Sequence, residues 1–453
     1  MVTLPGSRAP RAEGSRGPLW LWPTVGAVAA FAAALLLARV RPAPGSIGAA
    51  LWPGDVASAA TALQAVATTS VTVTTLTFSL TVVTLQLASQ QFSPRLLRRY
   101  ARDSATKTVL TVLTSTFVFT ITTLSFLDTK NRVPTPALLI AMVLGVASMA
   151  AVLAFLTHIV REVRVDSMMQ AVHDETATAI GMFYPDGDDP RPRSPDELEL
   201  DEAAGTTVYA TGSGFVRLVD VPALVECARR RSALVRLNAR PGDLVVARSP
   251  LATVWTTAHG AESLEPEPDV PAAAINAAVT LGYERTLDQD AAFGFRQLQD
   301  IAVKAMSPGI NDPVTAATAV GHMADLLVRL AGRRLGPTVH LDHDGEPRAI
   351  VPDRDMRYYL DLACDQLKRF AAEEPTVLAA LLRMLRDLAV VVHDREHAGE
   401  VHRAADAVQA ALSPTVSQAD AEQVHDLHRR VRIALAGDCT RAYADRSGET
   451  RSV

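Results

Sequence analysis

The sequence is poor in cysteine, in aromatic side chains and, over its first third, in charge. Its three cysteines, Cys227, Cys364 and Cys439, stand far apart, and no two have the spacing of a zinc knuckle or a redox pair. A disulfide framework is therefore not expected. Lys plus Arg (44) nearly balance Asp plus Glu (49), so there is no global basic field and nucleic acid is not an expected partner. The chain has no GxSxG elbow, no GxxxxGK[ST] phosphate cradle, no GxGxxG after a strand and no paired Cys–His signature. No catalytic residue and no cofactor is nominated, and the chain reads as a non-enzyme. His393 and His397 have helical spacing, with His402 near, but lack the glutamate of an HExxH site. His340 and His343, beside Asp342 and Asp344, read as part of a loop, and no metal site is nominated.

A hydrophobic share of 48% resembles a soluble protein, but the average hides a division. Charge is sparse from Leu19 to Val160 and dense after Arg161. A membrane-crossing helix needs about 20 mostly apolar residues. Four stretches qualify, at about 19–38, 62–90, 108–127 and 136–160, preceded by an arm at 1–18. Trp20 and Trp22 open the first as an interfacial belt. A cleaved leader is the weaker reading of that span, because three more follow without a clear cleavage site.

Basic residues concentrate in the arm (Arg8, Arg11, Arg16), in the second connection (Arg95, Arg98, Arg99, Arg102, Lys107) and after the fourth span (Arg161, Arg164). The first and third connections carry only Arg39 and Arg41, and Lys130 and Arg132. Both termini are thus expected in the cytoplasm, with the chain multi-pass in the cell membrane and in contact with its lipid.

The second span has no charged residue from Val56 to Pro94. About 39 residues would extend about 58 Å as a helix against a hydrocarbon core of about 30 Å, so the segment must tilt, break or project. Thr68, Thr72, Thr75 and Ser79 share one face, and Ser70, Thr74, Thr77, Thr81 and Thr84 lie roughly opposite. The third span repeats the habit with Thr108, Thr111, Thr114, Ser115, Thr120, Thr122 and Thr123. Such hydroxyls either pack helices closely or line a polar path, and Thr68, Thr72, Thr75 and Ser79 are the candidate lining. No ionisable residue sits in mid-span, which disfavours a proton-coupled pump.

Beyond the fourth span, an apolar spacing through Ile159, Val163, Met169 and Val172 predicts that its helix continues to about Gly181. An acidic, proline-rich linker follows, closing a segment of 161–205. From 206 to 256 the pattern becomes short β-branched runs at 207–210, 215–219, 233–237, 244–247 and 252–255, with one helix at 222–230 and a turn at Pro241-Gly242-Asp243. That order resembles small barrel-sandwich modules of lipoyl and biotinyl carriers and membrane-fusion adaptors. No lysine occurs between Lys130 and Lys304, so a loaded carrier is excluded and a structural or docking module is expected. The region 272–440 reads as helical, with a tail at 441–453. The fold class is therefore four transmembrane helices plus a cytoplasmic α+β domain, in which a small β module precedes a helical region.

Within that helical region, Thr286-Leu287-Asp288-Gln289 fits a capping box for a helix reaching about Met306. Its buried face is Phe295, Leu298, Ala302 and Ala305. Ser307-Pro308-Gly309 stops it, Asp312 caps the next helix with Pro313 in its first turn, and Asp353 is placed to cap a later one. Arg285, Gln289, Asp290, Arg296, Asp300, Lys304, Ser307, Gly309, Asn311 and Asp312 form a dense polar motif. Its helical spacing suits an ion-pair ladder, and its loop a small-anion site before a helix N-terminus.

The stretches GYERTLDQDAAFGFRQLQDIAVKAMSPGINDPVTA (Gly282 to Ala316) and FSLTVVTLQLASQQFSPRLLRRY (Phe78 to Tyr100) resemble a family of predicted bacterial integral membrane proteins known only as a domain of unknown function. The resemblance spans the second membrane helix to the C-terminal helices. It implies membrane helices joined to a cytoplasmic domain and implies no activity. The residues themselves favour a channel or transport protein with a cytoplasmic regulatory domain, assembled as a homo-oligomer. The competing expectation is a membrane-anchored sensing or scaffolding protein that binds a cytoplasmic protein or a small anion.

Overall fold

The computed structural model describes residues 20–40, 52, 54–91, 104–127, 133–162, 164–187, 198, 200–256 and 271–444. The chain divides into two compact units, one ending at Met168 and one beginning at Met169. The arm at 1–18, the linker at 188–197, the basic cluster Arg95, Arg98, Arg99 and Arg102, and most of the C-terminal tail lie outside the described residues.

The first unit is four helices: α1 (Leu21–Ala38), α2 (Val56–Gln91), α3 (Ser104–Ser125) and α4 (Thr135–Glu162). Each matches an expected span. α2 runs unbroken for 36 residues, about 54 Å of helix. The alternatives of tilting, breaking or projecting thus reduce to an unbroken helix, longer than a bilayer's hydrocarbon core. α3 packs against α1, α2 and α4, and α2 also meets α4. Ala34, Ala59, Leu63, Phe119, Leu138 and Ala141 close one end of the core, and Val109, Leu113 and Phe155 the other.

The outward face inverts the soluble pattern. Val28, Phe31 and Leu36 on α1, and Val143, Val146, Met149 and Leu153 on α4, are exposed, as are Trp20 and Trp22 at the head of α1. Apolar side chains outside and paired backbone within are the solution that hydrocarbon demands, so these helices contact lipid.

α4 ends at Glu162 and α5 (Val165–Phe183) follows as a separate helix, most of it in the second unit; Val163, through which a continuing helix is expected, lies outside the described residues. Next come β1 (Thr206–Tyr209), β2 (Gly214–Val219), α6 (Val221–Arg229), β3 (Ala233–Leu237), β4 (Leu244–Val245) and β5 (Pro250–Thr256). These match the expected strands and the expected helix, with Pro222 in its first turn and Asp220 capping it. They do not form a barrel-sandwich. One open sheet has the order β1-β5-β3-β8-β7 and a second the order β4-β2-β6.

The strands that complete these sheets come from sequence read as helix or loop: β6 (Val279–Gly282) after the short α7 (Ala272–Ala278), then β7 (Thr338–Leu341) and β8 (Pro347–Val351). β8 pairs parallel to β3, while the remaining pairs are antiparallel. A strand supplied from more than 100 positions away leaves no local signal. Val216, Leu224, Val235, Leu251, Val254 and Ile275 fill the core between the sheets and α6 and α7.

The helical part comprises α8 (Ala291–Ala305), α9 (Pro313–Ala331), α10 (Met356–Phe370), α11 (Pro375–Val391), α12 (Arg395–Ala410), α13 (Gln418–Leu435) and the short α14 (Cys439–Ala442). Phe295, Leu298, Ala302 and Ala305 are buried as expected. Five described helices are long and apolar enough to cross a membrane, α9 being the fifth. α9 packs on α8, α10 and α11, and carries Asp325 and Arg329 on its outer face.

Two capping expectations fail. The Thr286 hydroxyl donates to Asp288, and Gln289 bonds the backbone of Val219, so the box is used for loop and strand contacts and α8 begins at Ala291. α10 is capped by Asp355, which accepts from the Tyr358 N–H at 2.8 Å, and not by Asp353. The Asp312 cap with Pro313 behind it is present.

α5 meets α8 where Gly294 lacks a side chain: an added Cβ would lie 1.8 Å from the buried Thr176 hydroxyl. Gly294→Ala is expected to destabilise by about 1–3 kcal/mol through overpacking. That exceeds the roughly 1 kcal/mol of helix propensity alanine adds. The melting temperature of the detergent-purified protein should fall, and an unchanged value would refute so close a crossing.

Candidate functional site

Two places hold polar groups that the fold does not place in open water. The first lies in the second unit, where the turn at 240–243 meets the segment before α8 and the end of β8. Gly242 takes φ +88°, and a Cβ there would strike the Asp290 carboxylate. Glycine is therefore required both for the turn and for the approach. The Pro241 carbonyl beside it accepts from Arg354 Nη1 at 2.9 Å.

Asp290 and Arg354 are 1% and 2% exposed and face each other at 3.3 Å. Asp290 also accepts from Arg285 Nε and, at 3.2 Å, from Arg285 Nη2. Asp243 lies 3.5 Å from Arg354 and accepts from the Arg240 backbone at 3.0 Å. The Arg354 guanidinium stacks over Tyr358 at 5.2 Å, and Arg285 over Phe293 at 5.3 Å. Burial opposes charge on Arg354, but Asp290 with Tyr359 and Tyr358 outweighs it and holds the guanidinium above its ordinary pKa. A buried pair of this kind contributes little by itself, but removing one partner costs about 3–5 kcal/mol by leaving a naked charge. The cluster clasps three distant segments together.

Arg285, Gln289 and Asp290, nominated from sequence as ligand-binding residues, thus belong to this clasp and to the Val219 backbone contact. Arg296 and Asp300 form the expected rung at 3.4 Å, with Lys304 one turn on in the last turn of α8. Ser307, Gly309, Asn311 and Asp312 form a separate, outward loop. Its Ile310, Asn311 and Asp312 N–H groups donate to Ser307, Ser307 and Ala305 carbonyls, and Asp312 itself occupies the start of α9. Asn311 is left-handed at φ +51°. The motif is therefore split between two places. Sequence reasoning missed Arg354 and Asp243, because two short turn sequences 110 positions apart show no shared period.

Among the described residues no group of His, Cys, Asp and Glu is arranged to hold a metal ion. His397 pairs with Asp394, the residue that caps its own helix, and His402 and His428 with Asp406. His340, a strand residue of β7, is pushed down to about 4 by burial.

The second place is α2. Ser70, Thr77 and Thr84 are buried among the helices of the first unit. Across from α3, Ser148 donates to Thr116 at 2.9 Å, so part of the hydroxyl complement does join helices. Thr68, Thr72, Thr75 and Ser79 are exposed. Thr61, Gln64 and Gln86 are exposed as well. At about 100° per residue, Thr61, Thr68, Thr72, Thr75, Ser79 and Gln86 fall within about 40° of a single line along the helix. Only Ala65 and Val83 interrupt that arc. Between Thr61 and Ser79 it is about 27 Å long, close to the thickness of the hydrocarbon core.

Burial also acts on Asp353, two residues past the end of β8 and beside the clasp: its carboxyl rises from 3.8 to about 6. The folded chain then keeps a proton that the unfolded chain has released, so this contribution is full below about pH 4 and is lost as pH rises toward 6. Asp353→Asn should gain stability relative to the parent across that window, measured by denaturant unfolding in a pH series. A pH-independent difference would refute it.

The family model described as "Predicted membrane protein (DUF2254)" matches residues 16–387. Uncharacterised proteins of Mycobacterium tuberculosis and Mycobacterium bovis are each 33% identical over 383 residues, covering 83% of this chain and 72% of theirs. No solved structure matches. With most of its length inside the match, the chain belongs to the DUF2254 family of predicted membrane proteins.

Proposed function

We propose that this protein is an oligomeric, multi-pass membrane protein of channel or transport type, in which α2 helices from several copies line a shared polar path. In this reading α1 to α4 are the four spans, both termini are cytoplasmic, and the second unit is a cytoplasmic regulatory domain. α9 is left out of the membrane because its apolar face is filled by α8 and α11 and its other face is charged.

The observation that carries the reading is the polar arc on α2. A threonine facing lipid can satisfy its hydroxyl on its own backbone, so one or two would mean nothing. A glutamine cannot, because its carboxamide has two N–H donors that helix carbonyls already bonded do not fully serve. Gln64 lies beside the arc within the apolar span and is exposed, as is every polar member of the arc. An exposed carboxamide within the apolar span favours water or another copy over acyl chains, and the arc beside it adds polar surface of the same kind.

Purified protein in liposomes should pass ions or small solutes, and Thr72→Val with Thr75→Val should reduce the flux severalfold while the protein remains monodisperse. No flux across varied voltage, tension and ionic conditions would overturn the reading. For the topology, Cys439 is exposed. In intact cells it should resist a membrane-impermeant maleimide and react after permeabilisation; labelling without permeabilisation would place the C-terminus outside.

A further inference from the structure

Resting on the channel reading above, we propose that the path lined by α2 admits small cations and rejects anions. The reason lies in where the hydroxyl hydrogens point. A hydroxyl has one hydrogen and two acceptor lone pairs. Thr61 Oγ1 donates to the Ala57 carbonyl at 2.9 Å, Thr72 Oγ1 to the Thr68 carbonyl at 2.9 Å and Thr75 Oγ1 to the Val71 carbonyl at 3.0 Å. Each hydrogen is directed back along the helix, and what remains for the exterior is oxygen lone pairs. A wall of oxygen acceptors replaces the hydration of a cation, whereas an anion needs donors.

Charge points the same way. No Lys or Arg lies between Val56 and Gln91, so the wall has no fixed positive group. Asp55 stands immediately before α2, is exposed, and accepts from the Ser58 N–H at 2.8 Å. The hydrogen bonds from Ser58 hold its carboxyl below the ordinary range, so it stays ionised at neutral pH. In an assembly about α2, every copy adds one such carboxylate at the same end of the helix, where it raises the local concentration of cations. Gln64 and Gln86 offer donors and acceptors alike and do not change the balance. Arg95, Arg98 and Arg99 follow α2 in sequence, outside the described residues, and make anion preference the competing outcome.

The full-length protein in planar bilayers under a KCl gradient decides between them. The reversal potential should move toward the potassium equilibrium value, and Asp55→Asn should reduce that shift without abolishing conductance. Thr72→Val should lower conductance severalfold, and Thr72→Ser, which restores the oxygen, should recover it. Conductance with a reversal potential moved toward chloride would overturn this inference and leave the channel reading standing. Cation preference unchanged in Asp55→Asn together with full conductance in Thr72→Val would also overturn the roles given to these residues. No conductance from monodisperse protein under any voltage or tension would overturn both.

Discussion

A polar group removed from water must find a partner, and both halves of this chain are organised by where those partners are. In the first unit the rule acts on the backbone. Hydrocarbon offers no hydrogen bonds, so the uncharged segment of α2 can cross it only as a helix whose backbone groups are paired internally. The same rule acts on side chains: threonines turn to their own carbonyls, as at Thr72, or to a neighbour, as Ser148 does to Thr116. Gln64 has neither device available in full, because its carboxamide carries two N–H donors and stands exposed on α2.

In the second unit the same rule is met by charge. Asp290 is almost wholly excluded from solvent and would be intolerable alone. Arg285 reaches it from the adjoining loop and Arg354 from the end of β8, and Arg354 in turn takes the carbonyl of the turn at Gly242. The clasp fixes the corner where the sheets meet the helical part. It also gives a physical meaning to the densest polar motif in the sequence. Arg285, Gln289 and Asp290 form an internal fastening, and the rest, from Arg296 to Asp312, lies along α8 and the loop after it.

The relation between sequence and structure follows from the range of each interaction. The spans, the strands from β1 to β5, the helix after Asp220 and the Asp312 cap were legible because each depends on neighbours within a few positions. The failures share the opposite property. Thr286 to Gln289 has the residues of a capping box, but Val219, some 70 positions earlier, competes for Gln289 and Arg217 competes for Asp288. β7 and β8 form a local hairpin that reads as loop, and what stayed hidden is its parallel attachment to β3, more than 100 positions earlier. The barrel-sandwich expectation is not confirmed: both sheets are open, and each is completed by strands from outside the 206–256 stretch.

Sequence alone determined that the chain is a membrane protein, where its apolar helices lie, and that its polar membrane residues are hydroxyls and amides without charge. These follow from composition and a 3.6-residue period, which are local. Tertiary structure decided which hydroxyls are consumed in packing and which face outward, because that depends on the side from which α3 and α4 approach α2. It likewise decided that Asp290 is a buried anchor and Asp312 a surface cap, although both stand before a helix. Arg354, from the segment after β8, and Arg285 together separate the two.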